Sequence, residues 1–350
     1  MFSFLLLARV LAGLGGVVLV VLTLSAAIRS FVLPRNEVVH LNILVFRGIR
    51  AIFEGAARLA NTYGRRDSIM AHYAPVGLVA LPVVWLTLIS LGYTALFWAV
   101  GVGSLKTCYE LSGSSLLTLG TAKTYGLWLN MLTYSEATIG LLLLTLLISY
   151  LPTIYQAFSR REITVARLEL RAGTPASASA LLSWLNNSGA VDDDDPQWEL
   201  WEQWFIEIEE SHTSLPILTF FRSPQPGRSW VTAGGLILDT ANLLLSAVDV
   251  PQPKQVQLTF KAGCLALNRV YRFFEGETKT KPLDIPANAP VADPGRADFD
   301  HACDEMAAAG LPLRADRDAA WVQYRELRTR YGTALDFLAR LTMAPNQKNI

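Results

Sequence analysis

The chain is predicted to be an all-α membrane protein, with three transmembrane helices, a re-entrant loop between the second and third, and a helical cytosolic domain. Three observations carry this expectation. Apolar stretches at residues 1–33, 75–101 and 132–157 each supply the roughly 20 residues that a helix needs to cross a bilayer. Of the 350 residues, 51% are hydrophobic and only 17% are charged. No strand-like alternation appears, and no glycine-rich phosphate loop follows a strand, so a nucleotide-binding regulatory domain is not expected.

The first stretch reads as an anchor or as a cleaved signal. Its start carries no positive charge, although Leu24-Ser25-Ala26-Ala27 could pass for a cleavage site. Charge placement favours the anchor. Arg29, Arg35, Arg47 and Arg50 follow the first stretch, Arg65 and Arg66 precede the second, and Arg160, Arg161, Arg167 and Arg171 follow the third. Only Lys106 and Lys123 lie between the second and third. Positive residues stay on the cytoplasmic side. The expected topology therefore puts the N-terminus and the 101–132 loop outside and the C-terminal half in the cytosol of a plasma or bacterial inner membrane. Arg9 lies inside the first stretch and is expected to snorkel outward. Between the first two spans, Asn36–Arg58 is amphipathic and reads as an interfacial helix on membrane lipids or as a gating collar.

The segment Ser114–Lys123, SSLLTLGTAK, is a short, largely polar run between two spans. Lys106–Leu117 can supply a short helix before it, with Gly113 expected to weaken its end. Downstream, Glu136 and Gly140 stand in SEATIG at the start of the third span. An acid inside a membrane is expected to be hydrogen-bonded. Gly140, Leu144, Ile148 and Leu151 share a helical face, and Pro152 should kink the helix near its inner end.

On these residues, 75–160 resembles the pore module of the two-span potassium-channel-like ion channels of bacteria. Thr118-Leu119-Gly120-Thr121-Ala122 lies where that family carries TVGYG, and Glu136-x-x-x-Gly140 matches the start of its inner helix. The resemblance implies a homotetramer whose loop carbonyls replace an ion's hydration shell. It implies a selectivity filter of Thr118, Leu119, Gly120, Thr121 and Ala122, an outer mouth at Lys123, and Glu136 supporting the filter from behind. It also implies a gate or hinge at Gly140, Ile148, Leu151 and Pro152. Thr121 replaces the supporting aromatic, Ala122 the second glycine and Lys123 the usual aspartate. Four ammonium groups at the mouth would oppose cation access. Expected function is therefore weakly selective passage of monovalent cations. The alternatives are a membrane-anchored signalling or scaffold protein with a vestigial loop, and an anion-permeable channel with a Lys123 ring. No arginine-rich helix precedes the module, so voltage sensing is not expected.

The expected divisions are 1–62 (first span and interfacial helix), 63–160 (pore module), 161–276 (helical cytosolic domain), 277–296 (a linker with four prolines) and 297–350 (C-terminal helices). The third span should continue to about Arg171, and further helices are expected at 228–247, 254–274, 297–309 and 316–343. Trp198, Trp201, Phe205 and Ile208 form a core stripe, and Gly234-Gly235 marks close helix packing. Asp192–Asp195 lacks the spacing of a calcium loop and reads as a solvated acidic turn. Cys108, Cys264 and Cys303 are far apart, and the four histidines are scattered. No enzyme, cofactor or resident metal is expected, and the zero net charge gives no case for nucleic acid. An unknown cytosolic ligand or partner is left open.

Overall fold

Every element of the computed structural model is helical, and no named strand occurs among the described residues. The structure describes residues 2–32, 39–173, 176–189, 196–225, 227–251, 254–277 and 294–345. The acidic turn at 192–195 and nearly all of the proline-rich linker, 278–293, lie outside them. The chain divides into two units, one of Met1–Glu54 and His72–Tyr155, the other of Gly55–Ala71 and Gln156–Ile350. The second begins near the expected boundary at 160, and it also claims a segment between the first two apolar stretches.

In the first unit, α1 (Phe2–Val32) lies antiparallel to α4 (Tyr73–Val100). Glycine sets this crossing. A Cβ on Gly16 would stand 2.6 Å from the Gly92 carbonyl oxygen, one on Gly92 2.7 Å from Val20 Cγ2, and one on Gly13 3.1 Å from Ala99 Cβ. Helices in lipid gain nothing from hiding apolar side chains from one another, so close backbone approach at small residues supplies the packing. Trp85, Ile89, Tyr93 and Phe97, spaced four apart on α4, are buried with Val20, Cys108 and Leu111. Arg9 reaches the left-handed cap of α4, where a Cβ on Gly101 would lie 3.4 Å from its Nη1. A cation there suits the exposed carbonyls of a helix C-terminus. The amphipathic helix α2 (His40–Arg58) puts Phe46 against Gly77 and Phe53 edge-on to Tyr73.

Helix α5 (Leu105–Leu116) has 12 residues, about 18 Å, too short for a hydrocarbon core of roughly 30 Å. It runs through Gly113 without a break. Helix α6 (Leu127–Ala172) has 46 residues, about 69 Å, and continues through both Gly140 and Pro152.

The second unit contains α3 (Tyr63–Ala71), α7 (Ala178–Asn187), α8 (Pro196–Ser214), a 3-10 turn at Pro216–Phe220, and α9 (Trp230–Ala247). Helix α10 (Lys254–Arg272) ends in a π turn, and α11 (Arg296–Ala308), α12 (Arg317–Thr329) and α13 (Gly332–Thr342) follow. The single helix expected at 316–343 is two helices, because the chain turns at Arg330 and Tyr331 before Gly332 starts the second. Every residue of α9 is buried among its neighbours. Gly263 of α10 brings the chains close, since a Cβ there would meet Leu238 and Phe205 below 3 Å. The expected stripe of α8 is buried in this core together with Trp204. On α3, Asp67 pairs with Arg222, and Tyr63 donates to the Met343 carbonyl at 3.3 Å.

Four helical stretches are long and apolar enough to cross a membrane: Phe4–Ser30, Tyr63–Val100, Leu127–Ala172 and Trp230–Ala247. This is consistent with a membrane location. Only the last is wholly enclosed by protein.

Candidate functional site

Ser104 caps the start of α5 by accepting from the Thr107 amide at 3.2 Å. The other end of α5 closes on its own carbonyls. The Thr118 amide donates to Ser115 O at 3.0 Å, and the Leu119 amide to Ser114 O at 2.9 Å. This pair of bonds is a Schellman cap, which needs a left-handed residue where Thr118 stands. Thr118 has φ +54°, an uncommon state for any side chain and an outlier for a β-branched one. Gly120 is left-handed as well, at φ +67°. Its surroundings are open, with nothing within 4 Å of an added Cβ.

Four of the loop's backbone donors go to α5. Besides Thr118 and Leu119, the Leu117 amide bonds Gly113 O at 3.2 Å and the Ala122 amide bonds Ser114 Oγ at 3.0 Å. Among the described residues, the carbonyls of Leu117–Thr121 accept no hydrogen bond. Leu117 through Thr121 and Lys123 are exposed, while Ala122 is half-buried. A bare set of carbonyl oxygens beside a threonine hydroxyl is chemistry that suits a cation.

Behind the loop, a polar line joins three helices. Ser112 Oγ on α5 lies 2.5 Å from Glu136 Oε1 on α6 and 2.9 Å from Ser90 Oγ on α4. Tyr93 OH and Ser135 Oγ, 2.9 Å apart, tie α4 to α6 alongside. Glu136 is fully buried. Sequence reasoning singled out Glu136 but not Ser90 or Ser112. Hydroxyls are common in apolar helices, and nothing in the spacing of these two marks them as partners of one acid.

Gly140 is buried against the end of α5, where a Cβ would overlap the Leu116 carbonyl oxygen. The glycine therefore has a packing role that its sequence position did not reveal. Leu144, Ile148 and Leu151 are exposed along α6 within the single chain, and so is Pro152.

In the second unit, Arg161 is enclosed near the end of α6. Its guanidinium donates to Leu218 O at 2.8 Å, Phe221 O at 2.7 Å and Glu162 at 2.8 Å, and lies 3.2 Å from His212 Nε2. Burial first, and then the Arg161 cation, hold His212 well below the usual imidazole range. The neutral ring donates from Nδ1 to Ile208 O at 3.0 Å and accepts from Arg161 at Nε2. A second enclosed group joins Asp239 to Arg328 and to Tyr331, whose hydroxyl donates to the carboxylate at 2.5 Å. Burial and the Asp239 charge hold the Tyr331 phenol well above its ordinary value. No cluster of three or more metal-ligating side chains occurs among the described residues.

The chain matches no protein-family model, no curated protein and no solved structure.

Proposed function

We propose that four copies of this chain form a membrane channel of potassium-channel-like architecture, passing monovalent cations with weak selectivity. In this reading α1, α4 and α6 are the spans. Helix α5 and residues 117–126 re-enter from the outer side, and Thr118–Ala122 is the narrowest part of the path. The N-terminus lies outside and the helical C-terminal half lies in the cytosol. Helix α9 is not a span, because its own unit already encloses it.

One observation carries the proposal. Four backbone amides between Leu117 and Ala122 bond to α5, whereas among the described residues the carbonyls of Leu117–Thr121 accept no hydrogen bond. Buried backbone groups must be satisfied, and at membrane depth only protein, water or an ion can do so. A fourfold assembly of exposed carbonyls gives the ion its coordination. The exposed residues Leu144, Ile148 and Leu151 then line the path below, ahead of Pro152.

Gly120→Val tests the role of the loop. No side chain of its own chain crowds Gly120, so the damage falls on the left-handed backbone and on the path. Loss of flux with assembly retained is the expected result. A second reading, a membrane-anchored scaffold, is favoured by the bond that ties Ala122 back to Ser114. It expects Gly120→Val to leave activity unchanged.

A further inference from the structure

Among the described residues Glu136 forms no ion pair, and its Oε2, buried in the first unit, has no hydrogen-bond partner. Ser112 Oγ meets three oxygens: Glu136 Oε1 at 2.5 Å, Ser90 Oγ at 2.9 Å and Ser90 O at 3.1 Å. A hydroxyl has one proton to donate and two lone pairs to accept with. The Ser90 carbonyl, which also receives the Thr94 hydroxyl at 2.7 Å, can only accept. If Ser112 donates there, both remaining contacts close in one way. Ser90 donates its hydroxyl proton to Ser112, and Glu136 brings a proton of its own. An ionised carboxylate would instead take the Ser112 proton, set two acceptors against each other at Ser90 O, and leave a buried charge with one hydrogen bond and no cation.

We propose that Glu136 is a neutral carboxylic acid that donates to Ser112. With Ser90 it forms a clasp across α4, α5 and α6 that positions the loop following α5. Glu136 is then a positioning residue acting through Ser112. The titratable group nearest the acid on α4 is Tyr93, whose hydroxyl is engaged with Ser135. The functional consequence rests on the channel reading; the protonation state does not.

Infrared spectroscopy of the full-length protein in liposomes at neutral pH tests the assignment. A protonated-carboxyl C=O band is expected, lost in Glu136→Gln. In Ser112→Ala that band shifts to higher frequency, because the acid loses its acceptor. If Glu136→Gln does not fold, the Ser112→Ala shift decides alone. Glu136→Gln, whose amide N–H donates from the same place, is expected to keep ion flux, while the shorter Glu136→Asp loses it. Absence of the band at neutral pH, or a band that ignores Ser112→Ala, overturns the proposal. A band present in protein that passes no ions refutes the channel reading and leaves the acid standing.

Discussion

Thr118 carries two demands at once. Its backbone caps α5 in a left-handed state that costs a side-chain-bearing residue about 1–2 kcal/mol. Glycine satisfies that cap more easily, although it frees the unfolded chain. Thr118→Gly should therefore leave thermal stability unchanged or raise it by up to about 1 kcal/mol, while reducing cation flux through loss of the hydroxyl. Stability and flux measured on one preparation check this. A variant that gains stability and keeps full flux would assign Thr118 to the cap alone. His212 makes a separate prediction. Its folded-state pKa is depressed below the ordinary 6.5, so acid protonates the unfolded chain first. Stability should be flat above about pH 6.5 and fall below it. Thermal unfolding against pH should show this slope, and His212→Gln should reduce it.

At the scale of the element, hydropathy and charge made the apolar helices legible, because a bilayer demands length and composition that no side-chain detail can disguise. Their contacts were not legible. The α1–α4 crossing depends on Gly16 and Gly92 facing each other, and two glycines 76 positions apart carry no mark of pairing. Gly140 suggested a flexible point in α6, whereas the structure sets it against a carbonyl that no side chain could approach. The loop is legible from its place between two apolar stretches, but the bonds that four of its amides make to α5 are not. Gly92→Leu should force α1 away from α4, at an overpacking cost of about 1–3 kcal/mol. Cross-linking of cysteines placed at positions 13 and 99 would fall in that variant; unchanged cross-linking would refute glycine-set packing.

Across the whole molecule, two kinds of apolar helix coexist. Helix α9 is hydrophobic because protein surrounds it on all sides, with Asp239 held there by Arg328 and Tyr331. Helices α1 and α6 are hydrophobic and largely uncovered by their own chain, as expected of elements that meet lipid or further copies. By sequence, the first three stretches fall in the membrane and 228–247 in the cytosolic domain, but that protein encloses α9 on every side is visible only in the fold. In the proposed function the loop after α5 is the cation path. Reversal potentials across proteoliposomes of the purified protein under asymmetric monovalent salt test it most directly. The expected reversal lies toward the cation equilibrium potential, with small differences between sodium and potassium. Absence of current from folded, assembled protein, or reversal at the anion potential, would contradict it.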